Sequence, residues 1–197
     1  MRQTPNFEST AAFDGSFERF PAGGYVCMIK KAWCETARNG SEMLVLAIDV
    51  DEGEFRGYFN NQFNEKRKNN PTAKWPCMFY QFTLKDGQTN PFFKGMLKSI
   101  EESNTGYKWN WDEMTLANKR IGMVFREEEF ESNDGNIRTT VKPAFPRSVQ
   151  RIRSGVEVPE IKRLTNTQGN AYGGSRDAQV SQNEGFEPYE GKLPWEM

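Results

Sequence analysis

The sequence contains no histidine. That removes the commonest general base and the commonest metal ligand, leaving carboxylates, cysteine and lysine for any catalytic role. Cysteine is scarce too. Cys27, Cys34 and Cys77 are an odd number without metal-ligand spacing, which suits a cytosolic protein with reduced thiols. No apolar run approaches the ~18 residues of a membrane span. The opening Met1-Arg2-Gln3-Thr4-Pro5 does not lead into the apolar core of a secretory signal. A Walker loop, a dinucleotide fingerprint and a paired CxxC are all missing, and no internal repeat is present. Asp49, Asp51, Glu52 and Glu54 do not assemble into a convincing carboxylate cluster for metal-dependent cleavage. The expectation is a non-enzyme with no catalytic residue, no metal and no cofactor.

What is present fits one domain plus a tail: 197 residues, 36% hydrophobic and 27% charged. The net charge of -1 conceals a split. Two of the 26 cations (Arg176, Lys192) and five of the 27 acids (Asp177, Glu184, Glu187, Glu190, Glu196) lie beyond Arg163, leaving the body at +2 and the tail at -3. Residues 165–184 are mostly Asn, Gln, Gly, Ser and Thr. They have almost nothing to bury, so the sequence predicts a disordered C-terminal tail. Large apolar residues nevertheless follow: Phe186, Tyr189, Leu193 and Trp195. In Leu193-Pro194-Trp195 a proline limits backbone freedom between two apolar anchors, and Glu187, Glu190 and Glu196 could meet a basic rim. This reads as a docking peptide. Folding back on its own domain, or pairing with a neighbouring protomer, are the alternatives.

The body divides into a 1–22 extension and a 23–163 domain, followed by the 164–197 tail. The extension holds Phe7, Phe13, Phe17 and Phe20 and has no assignable regular structure. Residues 24–35 alternate as a strand, with Tyr25, Cys27 and Ile29 on one side and Val26, Met28 and Lys30 on the other. The turn Arg38-Asn39-Gly40-Ser41 leads to a second strand over 42–51. Its Leu44, Leu46, Ile48 and Val50 face the core, and Met43, Val45, Ala47 and Asp49 face outward. A third strand is predicted over 55–63, with Arg56, Tyr58 and Asn60 on the outer face. Residues 64–71, with Lys66-Arg67-Lys68, read as an exposed loop. The aromatic stretch 75–84 is ambiguous between strand and helix. Asn90-Pro91 opens a helix, with Phe93, Met96, Leu97 and Ile100 at helical spacing. Residues 120–130 and 137–145 make a hairpin around Asn133-Asp134-Gly135-Asn136. Three strands, one helix and two strands is the order of a five-stranded OB-fold barrel, with the helix between strands 3 and 4. The expected class is therefore mainly β and OB-fold-like, with a generic α+β domain as the alternative.

An OB barrel takes oligonucleotides across its second and third strands. Single strands need cations for phosphates and flat rings for bases. Lys30, Lys31, Arg38 and Arg56 suit the first role, and Trp33 and Tyr58 the second. Lys66, Arg67 and Lys68, with Arg147, Arg151 and Arg153, could extend the path. The bland alternatives are core positions for Trp33 and Tyr58 and a merely solvated Lys66-Arg67-Lys68. Glu127-Glu128-Glu129 must point away from such a groove. Trp109 and Trp111 suit a packed loop better than a platform.

These residues resemble a family. The segment from Phe20-Pro21-Ala22-Gly23-Gly24-Tyr25 through Gly40, Leu44-Val45-Leu46 and Asp51-Glu52-Gly53-Glu54-Phe55 to the hairpin around Phe130 is similar to phage-encoded single-stranded-DNA-binding proteins with an OB-fold. The order of its motifs carries the likeness. The tip Leu193-Pro194-Trp195 is similar to the acidic, apolar-Pro-aromatic end of bacterial single-stranded-DNA-binding proteins. It departs from them in that Glu196-Met197 follow the aromatic and Lys192 dilutes the acidity. The resemblance implies sequence-independent, non-catalytic binding of single-stranded DNA in phage replication or recombination, in the cytoplasm of an infected bacterial host. A replication or recombination protein at the tip and a homo-oligomer are the implied partners, with no membrane. The rival function is a protein-interaction module or phage inhibitor of a host enzyme.

Overall fold

Alternating side chains in residues 23–50 produce two long antiparallel strands, β1 (Gly23–Thr36) and β2 (Glu42–Val50). The computed structural model describes residues 2–5, 7–9 and 19–164. β3 (Met78–Phe82) adds to the far edge of β2. The pair β6 (Arg120–Glu131) and β7 (Ile137–Arg147) adds to the near edge of β1. The result is one five-stranded antiparallel sheet ordered β3-β2-β1-β6-β7, beside a separate two-stranded hairpin of β4 (Leu84–Lys85) and β5 (Gln88–Thr89). No ladder joins β3 to β7 among the described residues, so the sheet does not close into a barrel, although those two edges approach one another.

Among the described residues three α-helices accompany the sheet: α1 (Tyr58–Asn69), α2 (Pro91–Ser103) and α3 (Val149–Arg153). α2 starts where its sequence predicts. The Asn90 side chain accepts from the Phe92 N–H, and Pro91 occupies the first turn. Phe93, Met96, Leu97 and Ile100 are buried against the inner face of the sheet. At its other end Asn104 ties the helix to β6, donating to the Ile100 and Arg120 carbonyls and accepting from the Arg120 N–H.

The strand expected over 55–63 is instead a turn followed by α1. The cause is tertiary. Asp49, on the neighbouring strand β2, places its Oδ1 3.0 Å from the Phe59 N–H and so caps the helix start, which Gly57 enters at φ 75°. A strand reading of Tyr58 and Asn60 as outward-facing neighbours fails with it. Lys66, Arg67 and Lys68 are likewise not in a loop but in the last turn of α1. There a cationic run opposes the negative end of the helix dipole. The true third strand came from the ambiguous aromatic stretch, whose residues 78–82 pair with β2.

A β-bulge between Ile29 and Lys31 resets the phase of β1. Before it, Cys27 and Ile29 face the core; after it, Ala32 does, opposite Leu46, and the exposed Cys34 shares its side of the sheet, opposite Leu44. Lys31 and Trp33 therefore turn to the outer face, opposite Ala47 and Val45. The inner face of β2 is as expected. Its outer face is not exposed: Met43, Val45, Ala47 and Asp49 are all buried.

Phe20 is the described part of the N-terminal extension that enters the core. Its ring stands 4.6–5.4 Å from those of Tyr25, Phe55, Tyr58, Phe59 and Phe125. Phe7 lies in a short 3-10 turn and is exposed. Phe13, Phe17 and all residues from 165 onward, with Leu193, Pro194 and Trp195, lie outside the described residues.

Candidate nucleic-acid interface

The outer face of the sheet has two halves. Over β1 and β6 it is lined by Gly24, Val26, Gly122 and Val124, which pair in register. α3 and the segment after it lie on this half. A Cβ on Gly122 would come within 2.4 Å of Ile152 Cγ1 and 2.8 Å of the Arg147 carbonyl oxygen, and one on Gly24 within 2.4 Å of Val156. The two glycines are thus the seat of this covering segment. Further on, Lys162 runs parallel to β6 as a short bridge, donating to the Glu127 carbonyl and accepting from the Glu129 N–H.

Over β1, β2 and β3 the outer face carries a cross-strand row. Trp33, Val45 and Tyr80 are directly opposed across the three strands. Lys31, Ala47 and Met78 form the next row, and Glu35, Met43 and Phe82 the row beyond. Trp33, Tyr80, Met78 and Phe82 are half-buried, while Lys31 and Glu35 are exposed. The flanking large side chains explain why Val45 is fully buried on an outer face. Lys31 Nζ stands 5.5 Å from the centre of the Trp33 ring. Burial, and then the nearby Glu35 carboxylate, push the Tyr80 hydroxyl above its ordinary value.

A cleft continues this face toward α1, lined by Lys30, Arg56, Asn60, Asp49 and Asp51 among others. Lys30 and Arg56 are exposed. Burial raises the Asp49 carboxyl above 3.8, against the opposing pull of the Phe59, Asn60 and Val50 N–H groups and Lys30. Asp51 forms an ion pair with Arg120 at 2.8 Å. Here the carboxylates serve the fold, and the two exposed cations face solvent.

The remaining sequence candidates scatter. Arg38 is exposed in the β1–β2 turn. Tyr58 sits on α1 inside the Phe20 cluster, away from the Trp33 row. Arg67 stacks over Phe63 at 5.5 Å and Lys68 pairs with Glu65. Arg153 pairs with Glu52 at 2.6 Å, and Arg147 lies over Phe145 at 4.3 Å. Arg151 is exposed on α3. Of the three glutamates, Glu128 is buried against Arg126 and Lys142, and Glu129 accepts from the Leu164 N–H. Tyr80 and Phe82 were missed by sequence reasoning, although the aromatic content of the Met78–Phe82 stretch suits a strand. Trp109 is half-buried as a packed residue, but Trp111 is 78% exposed. Neither a protein-family profile nor a curated protein sequence matches this chain.

Proposed function

We propose that this chain is a non-catalytic binder of single-stranded DNA, largely indifferent to sequence, serving phage replication or recombination in the cytoplasm of an infected bacterium. One observation carries the reading: the Trp33–Val45–Tyr80 row beside Lys31, on the half of the outer face that α3 leaves open. Half-buried rings keep exposed aromatic surface for base stacking, and Lys30, Lys31 and Arg56 supply charge for phosphates. The strand order and the position of α2 between β3 and β6 support an OB-type arrangement, in which oligonucleotides cross the second and third strands. The tip Leu193-Pro194-Trp195 is assigned to a replication or recombination partner, on sequence grounds.

The rival, a protein-interaction module or inhibitor, is favoured by one feature, the exposed Trp111 and Met114. Fluorescence titration of labelled single-stranded and duplex oligonucleotides across a salt series separates the two. Single strands should bind more tightly than duplex, with affinity falling as salt rises because bound counterions are released. Equal affinity for duplex, a flat salt response or no binding would overturn the nucleic-acid reading.

A further inference from the structure

β1 and β2 run past the core at their Cys34–Glu42 end. Cys34 and Leu44 are paired there, with Thr36 and Glu42 one step beyond, all on the inner face. A cleft of about 490 Å³ opens against this end of the sheet. Its walls include Glu42, Glu113, Trp109, Trp111 and Leu84. We propose that this cleft docks a segment of another protein that carries an arginine or lysine beside an apolar residue.

Four observations converge on that occupant. First, two carboxylates and no cation line the cleft. Both act on one point: the Cys34 thiol is pushed up by burial and then by Glu113 and Glu42. Second, the Trp109 and Trp111 rings stand 6.2 Å apart at 57°, offering aromatic faces to a cation held by those carboxylates. Third, Leu44 and Phe93 also line the cleft, so apolar surface lies beside the two carboxylates. Fourth, Trp111 holds φ at 68° while 78% exposed. A bulky residue in the left-handed region costs free energy, and beyond its contact with Trp109 the indole is left mostly in solvent. Leu84 and the adjoining Met114 are also exposed and give an apolar neighbour its contact.

The site is distinct from the Trp33–Tyr80 row, because strand alternation puts the two on opposite faces of the sheet. A nucleic-acid strand would be repelled by Glu42 and Glu113, whereas a basic protein segment is attracted. The inference stands whether or not the chain binds DNA.

The test uses the full chain and fluorescence polarisation of a fluorescein-labelled Gly-Leu-Arg-Leu-Gly peptide. The same peptide with citrulline for arginine keeps the shape and removes the charge. The arginine peptide should bind about tenfold more tightly than the citrulline one, and more weakly as salt rises. Glu113→Gln and Trp111→Ala, both at solvent-accessible positions, should each lose most of that affinity, whereas Trp33→Ala should not change it. Equal binding of the two peptides, no binding of either, or an unchanged Glu113→Gln protein overturns the proposal. So does a concentration-dependent self-association that Glu113→Gln abolishes in the absence of peptide, which would assign the cleft to a second copy of the chain.

Discussion

Trp33 and Tyr58 are both half-buried aromatics with basic neighbours in sequence, yet their surroundings differ. Trp33 lies in a sheet row whose outer side is open, and Tyr58 lies among Phe20, Phe55 and Phe59. Trp33→Ala and Tyr80→Ala should therefore each weaken single-strand binding by about 1–3 kcal/mol per stacked base, with little change in thermal midpoint. Tyr58→Ala should do the reverse, losing about 0.5–1.5 kcal/mol of stability for each aromatic contact removed. Thermal melts alongside DNA titrations check both. Lys30→Ala and Arg56→Ala should lower the slope of log affinity against log salt, since each removes one phosphate-neutralising charge. Asp49 is the third residue whose role depends on context. Asp49→Ala strips the cap from α1 and should cost about 0.5–2 kcal/mol, read by denaturant unfolding. Asp49→Asn keeps an oxygen acceptor without the buried charge and should cost less. The pH dependence follows from the raised Asp49 carboxyl. The folded state holds this proton more tightly than the unfolded chain does. The Asp49 contribution to stability is therefore complete below the ordinary value of 3.8 and declines as pH rises through the higher folded value. Asp49→Asn should flatten that decline in melts across the acidic range.

At the scale of elements, the outcome follows where each element finds its partners. α2 was legible because its cap, its proline and its apolar spacing are local, and the β6–β7 hairpin because Gly135 at φ 75° makes its turn. α1 was not legible, because its cap comes from β2 and its packing ring, Trp75, lies beyond its own end, against Phe63. Its hydrophobic pattern is weak on its own, with Phe59 its one buried residue. The bulge in β1 was equally hidden: a single extra residue moved Trp33 and Lys31 outward without altering the apparent alternation before it. The α3 seat has a sharp requirement. Gly122→Ala places a methyl against Ile152 and the Arg147 and Ser148 carbonyls. Backbone oxygens cannot move as a side-chain tip can, so the substitution should destabilise by about 1–3 kcal/mol. Hydrogen exchange should show the loss first in α3 and the adjoining end of β6.

At the scale of the molecule, the covering segment matters as much as the sheet. Truncation before Val149 should expose the Gly24–Gly122 half of the outer face and remove the Lys162 bridge to β6. The resulting protein should melt at a lower temperature and bind the dye ANS, while a chain carrying residues 1–164 should not. Local sequence pattern by itself determined the broad class: a β-rich chain with no helix among the described residues long and apolar enough to cross a membrane, an inner face of β2 made of Leu44, Leu46, Ile48 and Val50, and the α2 and β6–β7 units. These are short-range facts, set by periodicity, caps and turns within about a dozen residues. Tertiary structure alone decided the rest. It made residues 58–69 a helix, brought Tyr80 opposite Val45 and Trp33, and sheltered the outer face of β2 under side chains from two neighbouring strands. Each of these depends on groups from different elements meeting in the fold, and alternation along one strand carries no record of what its neighbours will cover.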